Sequence, residues 1–191
     1  MDNNAASKNR RGVYSGHVVD LGIESVVLPN GESMQLEVIR HPGGAATVAV
    51  DERQRVCLLR QYRHAAGGWL WELPAGKIDA PESSQQTAQR ELQEEAGLTA
   101  RDWLELGSFF STPGFCDERI HLYLARALSK TPTARHVHEV IEVHWIGYAQ
   151  AHRWAQSGEI VDGKTMIGLL LAYPILQRSD APTDPDSAGA R

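Results

Sequence analysis

Only two cysteines, Cys57 and Cys116, occur in 191 residues, so no disulfide framework holds this chain together. Long apolar runs are missing too. Nothing approaches the ~20 residues of a membrane span, and Met1–Gly12 lacks the apolar centre of a secretory signal; a cytoplasmic protein is the expectation. Basic charge is in short supply. The 19 Lys and Arg against 24 Asp and Glu leave a net charge of -5, which argues against generic nucleic-acid binding. The same deficit suits an anionic substrate poorly, unless cations intervene.

What is present is the profile of a folded domain: 42% apolar, 23% charged and 7% aromatic residues. At this length the fold should bury roughly 70% of the surface its unfolded chain exposes, enough without a metal staple. Residues 1–12 are polar, with Lys8, Arg10 and Arg11, and read as a loose tail. Short alternating runs follow, Tyr14–Val19, Ile23–Leu28 and Ser33–Ile39. Between the last two, Pro29-Asn30-Gly31-Glu32 supplies the positive φ angles of a tight hairpin. Residues 13–41 are therefore expected to form a small antiparallel β-sheet domain, too small to bury both its faces alone and so expected to pack on something else, such as a second subunit.

From residue 42 to 177 the pattern is that of one α/β domain. Strands are expected at Ala45–Val50, Arg55–Arg60, Trp69–Leu73, Trp103–Phe110, His121–Ala127 and Glu142–Trp145, and helices at Tyr148–Ser157 and Gly163–Gln177. Residues 178–191, rich in Asp, Pro, Ser and Ala, are expected to be disordered. The segment after Gly76 reads as a loop up to Ser83. There Ser83 and Gln86 make a capping box, Gly97 is a C-terminal stop, and the spacing predicts a helix over 84–96.

That helix carries Glu91, Glu94 and Glu95, which at 100° per residue share a face beside the apolar stripe Ala88, Leu92 and Ala96. Crowded carboxylates next to a core need cations, and hard oxygen ligands suit Mg²⁺ or Mn²⁺. Arg90 can pair with Glu82 across the loop. Three acids on a helix are ordinarily a solvated face, but the wider spacing overrides that reading. From Gly76 come five residues, Glu82, seven residues, Arg90-Glu91-Leu92, one residue, Glu94-Glu95, one residue and Gly97-Leu98. Nine such constraints would coincide by chance about once in ten million chains of this size.

This segment resembles the signature of the Nudix hydrolases. The resemblance implies an α/β/α sandwich with a mixed sheet and hydrolysis of a nucleoside diphosphate linked to another moiety, with divalent metal held by the box. Carried over by position, Glu91 and Glu95 match the principal metal ligands, Glu94 is their close neighbour and a catalytic candidate, and the backbone carbonyl of Ala75 is a further ligand. Three more segments resemble the ADP-ribose pyrophosphatase subgroup: Trp71-Glu72-Leu73-Pro74-Ala75-Gly76, Pro113 fifteen residues beyond Leu98, and Gly158-Glu159-Ile160-Val161-Asp162-Gly163-Lys164-Thr165. The N-terminal sheet of that subgroup exchanges between subunits, which implies a homodimer.

The resemblance also implies substrate contacts from Glu118, from Arg63 as a bidentate phosphate clamp, and from Arg40. Relatives place a catalytic glutamate on a loop between the last strands. Here that stretch is Arg135–Val143, and Glu139 is the candidate base or additional metal ligand, with Glu142 in reserve. His136 and His138 stand where relatives are often acidic, and read as exposed histidines. The implied reaction is Mg²⁺-dependent hydrolysis of ADP-ribose to AMP and ribose 5-phosphate. Alternatives are another nucleoside diphosphate sugar such as GDP-mannose, or a non-catalytic Nudix ligand sensor.

Overall fold

The sequence alternates apolar and polar residues in its N-terminal runs but loses that alternation at Gly44–Ala49, and the fold shows why. The structure, a computed structural model, describes residues 9–135 and 138–179. Strand β4 (Gly44–Ala49) is buried along its whole length. It pairs in parallel with β9 (Arg119–Lys130) on one side and antiparallel with β7 (Ala75–Lys77) on the other. With β8 (Leu98–Phe110) these strands form a mixed sheet in the order β7-β4-β9-β8. A strand covered on both faces has no polar side to display.

The two faces of β4 meet different partners. Ala46 and Val48 join Leu58, Leu73, Leu122, Leu124, Leu169 and Leu176 in the main core. Each of these leucines is essentially sealed from water, and burying such a side chain is worth about 1.5–3 kcal/mol. Their packing holds the mixed sheet against a second sheet, β10-β5-β6, made of Ile141–Gly147, Arg55–Arg63 and Gly68–Glu72, and against α3 (Gly163–Ser179). On the opposite face, Ala49 and Ala45 meet α1 (Ser84–Ala96) through Leu92 and Ala88. Small residues on this face let the helix approach closely. Helix α2 (Tyr148–Ser157) packs beside α3. The result is helix, sheets, helix, the expected α/β/α sandwich.

The N-terminal strands β1 (Arg10–Ser15), β2 (Asp20–Val27) and β3 (Ser33–Arg40) make a separate antiparallel sheet. Its second hairpin turns at Gly31, with φ of 89°, as Asn30-Gly31 implied. The first strand differs from expectation. It begins at Arg10, inside the expected tail, and the chain already turns at Gly16, whose N–H donates to Val19 O at 2.9 Å, so residues 16–19 are not strand. The sheet is tied to the rest by β3, where Ile39 N donates to Phe115 O and Asp117 N to Ile39 O. Among the described residues no helix is long and apolar enough to cross a membrane. Of the expected tails, residues 1–8 and 180–191 lie outside the described residues, while Arg10–Gly12 belong to β1 and Arg178 and Ser179 to the end of α3.

Candidate active site

Helix α1 begins and ends where its capping chemistry dictates. Ser83 Oγ accepts the Gln86 N–H, Gln86 Oε1 accepts the Ser83 N–H, and Gly97 closes the helix in the left-handed region. With these ends fixed, Glu91 and Glu95 lie one turn apart on the side facing β7. They are 9% and 3% exposed, unusual for carboxylates. Glu95 Oε2 accepts the Ala75 N–H at 2.8 Å. A Cβ on Gly76 would overlap the Glu91 carboxylate, so only glycine lets the strand lie this close to the acid.

Burial dominates the electrostatics here. It pushes the Glu95 carboxyl up to about 8, against the Ala75 hydrogen bond and with the added repulsion of Glu91 and Glu139. Burial also raises Glu91, against the pull of Arg90. Arg90 braces the helix and its approach loop together: its Nε donates to Glu82 at 2.9 Å, and its NH1 reaches Glu91 at 2.6 Å and Glu94 at 3.0 Å. The hydrogen bonds to Glu82 lead the effects that raise the arginine pKa.

Glu91 and Glu95 line a cavity of about 670 Å³, within the usual range for small-molecule sites. Ala75, Glu91, Glu95 and Glu139 line it together with Arg63, Lys164 and Glu118. Among the described residues no three His, Cys, Asp or Glu side chains form a ready-made metal cage. The donor set nevertheless fits Mg²⁺, which is usually held by one or two carboxylates and keeps other positions for water and phosphate oxygens. Two buried, mutually repelling carboxylates beside the Ala75–Gly76 backbone are hard oxygen donors, and Arg90 at Glu91 and Arg63 at Glu95 offset the cost of ionising them only in part.

A model of the NUDIX domain matches residues 40–165. The chain belongs to the Nudix family. An ADP-ribose pyrophosphatase of Bacillus subtilis (strain 168) is 37% identical over 155 residues, covering 80% of this chain and 84% of that one. One of Mycobacterium tuberculosis is 37% identical over 166 residues, 85% of this chain and 80% of that one. A methanol dehydrogenase activator of Bacillus methanolicus is 36% identical over 159 residues, 82% and 86% of the two chains. Among solved structures, that of an ADP compounds hydrolase superposes with a TM-score of 0.78 at 20% identity, covering 91% of this chain and 94% of that one, and shares the fold.

The Nudix box therefore supplies part of the cavity lining, through Gly76, Lys77, Glu91 and Glu95, and the other expected residues divide. Arg63 lines the cavity, but its Nε and NH2 are committed to Glu72 at 2.7 and 2.8 Å. One edge of the guanidinium is thus used structurally, and only the end formed by NH1 and NH2 remains for a phosphate. Glu118 lines the cavity 3.5 Å from His41 Nδ1. Arg40 does not line it: Glu24 takes its Nε and NH2 at 2.9 and 2.7 Å, and Asp117 takes NH1 at 2.9 Å. Glu94 is likewise outside the lining, turned to Arg90. The two candidate bases separate clearly. Glu139 lines the cavity, whereas Glu142 is exposed on β10, 3.3 Å from His144. His138 is exposed, and His136 lies outside the described residues.

Sequence reasoning missed Lys164 and Asp162, both in the lining. Their segment stood out for its likeness to relatives, but its polar residues were given no task. It also missed His41 and Lys77, which nothing in the local pattern distinguishes from surface residues.

Proposed function

We propose that this Nudix protein hydrolyses the diphosphate bond of ADP-ribose, adding water to give AMP and ribose 5-phosphate. The observation that carries the reading is the single cavity lined by buried Glu91 and Glu95 and by Arg63 and Lys164; two relatives, both ADP-ribose pyrophosphatases, support the choice of substrate. Glu91, Glu95 and the Ala75 carbonyl hold Mg²⁺, with Mn²⁺ as a substitute. When bound, the metal offsets diphosphate charge and acidifies a water ligand. Glu139 orients the attacking water and accepts its proton, or adds a metal ligand. Arg63 meets the phosphates with the end of its guanidinium, and Glu118 hydrogen-bonds the substrate at the far rim. Glu94 acts through Arg90 rather than on the substrate. Arg40 serves the same reaction indirectly, through its grip on Asp117.

The proposal places residues 42–177 as the catalytic domain and the N-terminal sheet as the contact between two copies in a cytoplasmic homodimer. Support for the dimer comes from Val13, Tyr14, Val27 and Met34, large apolar side chains exposed on that sheet, which a second copy can cover. Light scattering at micromolar concentration checks it, and a monomer there refutes it. For the activity, ADP-ribose is incubated with the protein and Mg²⁺ and the products separated by chromatography. AMP and ribose 5-phosphate in equal amounts are expected. Intact ADP-ribose alongside cleavage of GDP-mannose overturns the substrate, and binding without any product overturns catalysis.

A further inference from the structure

One buried carboxylate outside the Nudix box has two cations on it. Glu72, at the end of β6, is 1% exposed. Its Oε1 accepts from Arg63 Nε at 2.7 Å and its Oε2 from Arg63 NH2 at 2.8 Å, and Oε2 also accepts from Lys164 Nζ at 2.5 Å. Glu72 is absent from the cavity lining, whereas Arg63 and Lys164 are both part of it. The carboxylate thus sits behind two positive groups and presents them to the cavity. Burial alone raises its pKa, but the two cations overcome this and hold the carboxyl below its ordinary range.

Lys164 is fixed more firmly than a lysine usually is. A second N–H reaches Asp162 Oδ1 at 2.9 Å. Asp162 is itself fastened to the first turn of α3, where Oδ2 accepts the Thr165 N–H at 3.0 Å and the Thr165 hydroxyl at 2.5 Å. The same hydroxyl oxygen accepts the Leu73 N–H at 2.8 Å, so helix α3 and the strand that leads into the Nudix box are locked together at this point. An ammonium has three donors. Two are taken by fixed carboxylates, and the third belongs to an ammonium that lines the cavity. A long, flexible side chain held this way has already lost its rotamer freedom before a ligand arrives.

From this arrangement we infer that Lys164 is a substrate phosphate-binding residue, and that Glu72 is a positioning residue which presents Lys164 and Arg63 as a paired anion-binding wall of the cavity whose acidic wall is Glu91 and Glu95. The inference rests on the proposed diphosphate chemistry but not on ADP-ribose being the substrate. Its ligand class is any diphosphate, with the acidic wall taking one side through cations and the Lys164–Arg63 wall taking the other directly. Glu72 and Asp162 balance the two positive charges, so the wall acts by donor geometry more than by net charge.

The test measures inorganic pyrophosphate binding to the full chain by calorimetry at fixed, saturating Mg²⁺, which needs no turnover. Lys164→Met should weaken binding by about tenfold or more, the size expected for one charge-assisted hydrogen bond, while Lys164→Arg retains part of the affinity. Glu72→Gln should weaken it comparably, by releasing both cations. Because Lys164→Met leaves two carboxylates without their partner, the double variant Glu72→Gln/Lys164→Met is measured as well. It removes the cation and its main counter-charge together and is the better tolerated change. Folded Lys164→Met or double variant binding pyrophosphate within twofold of the unaltered chain overturns the inference. In parallel, ADP-ribose and GDP-mannose turnover is assayed on the unaltered chain. Loss of pyrophosphate affinity in the variants with no ADP-ribose cleavage by the parent sinks the substrate and leaves Lys164 in place.

Discussion

Replacing Glu95 by glutamine should make the metal-free protein more stable while destroying its response to Mg²⁺. The carboxyl, 3% exposed, is pushed up to about 8 from an ordinary 4.5. At 1.36 kcal/mol per pH unit, ionising it in the fold costs roughly 5 kcal/mol more than in the unfolded chain. Between pH 4.5 and 8 the folded chain retains a proton that the unfolded chain has released, so stability falls as pH rises through that window and levels off above it. By pH 7 the accumulated loss is on the order of 3 kcal/mol. Glutamine does not titrate and still accepts the Ala75 N–H. In EDTA, urea unfolding at pH 4, 5, 6, 7 and 8 should therefore show the two proteins alike at pH 4 and Glu95→Gln ahead by about 3 kcal/mol at pH 7. Saturating Mg²⁺ should reverse the order, and turnover of the variant should be down at least about a hundredfold. A stability difference independent of pH, or a variant weaker than its parent at pH 7.5 in EDTA, refutes the account of Glu95 as a desolvated ligand.

Mg²⁺ binding at pH 7 should release close to one proton from Glu95, falling towards half a proton at pH 8, because metal favours the ionised form; calorimetry in two buffers of different ionisation enthalpy reads the number. Gly76→Ala should raise the Mg²⁺ concentration for half-maximal activity by about tenfold or more, since the new methyl displaces Glu91; an unchanged Mg²⁺ titration contradicts it. Arg40→Met removes one of the ties on Asp117, leaving those to His41 and Ile39, and so loosens the loop that carries Glu118. Its KM should rise a few-fold with kcat nearly constant, and a hundredfold fall in kcat would put Arg40 back among the residues that touch substrate. Leu169→Ala, deep in the main core, should cost about 2–5 kcal/mol in urea unfolding with the Mg²⁺ requirement unaltered.

The parts of this fold legible in the sequence are those whose cause is local. Helix α1 runs from Ser84 to Ala96 as expected because its start is set by the Ser83 and Gln86 side chains and its end by the left-handed backbone of Gly97, all within three residues of the ends. The hairpin at Gly31 is legible for the same reason. Strand β7 reaches one residue into the expected loop after Gly76. Its three residues, Ala75–Lys77, contain no apolar pattern, and it exists because Gly44–Ala46 lies alongside. Strand β8 starts at Leu98 rather than Trp103, since β9 supplies partners for the polar stretch before the tryptophan. In the site, Glu91 and Glu95 could be found because they lie on one helix. Arg63 could be found but not its pairing with Glu72, and the partners of Arg40, at Glu24 and Asp117, come from two distant segments. Ion pairs of this kind leave no periodic trace. Cys57, whose thiol burial pushes up to about 12, fits its place as a small core residue, consistent with a sequence that shows no thiol chemistry.

The parallel pairing of β4 with β9 has a consequence for synthesis on the ribosome. Gly44 finds Ile120 and Ala49 finds Ala125 only after the intervening chain has been made. At roughly 5–20 residues per second this is a wait of about 4–15 s. The N-terminal hairpins can close during that interval, because their partners are neighbours in sequence. Strand β4 cannot: Gly-Ala-Ala-Thr-Val-Ala, with no charge to keep it apart from other nascent chains, stays unpaired on its β9 edge until the second half of the protein emerges. Supplying a holdase while the first 120 residues are made should therefore raise soluble yield.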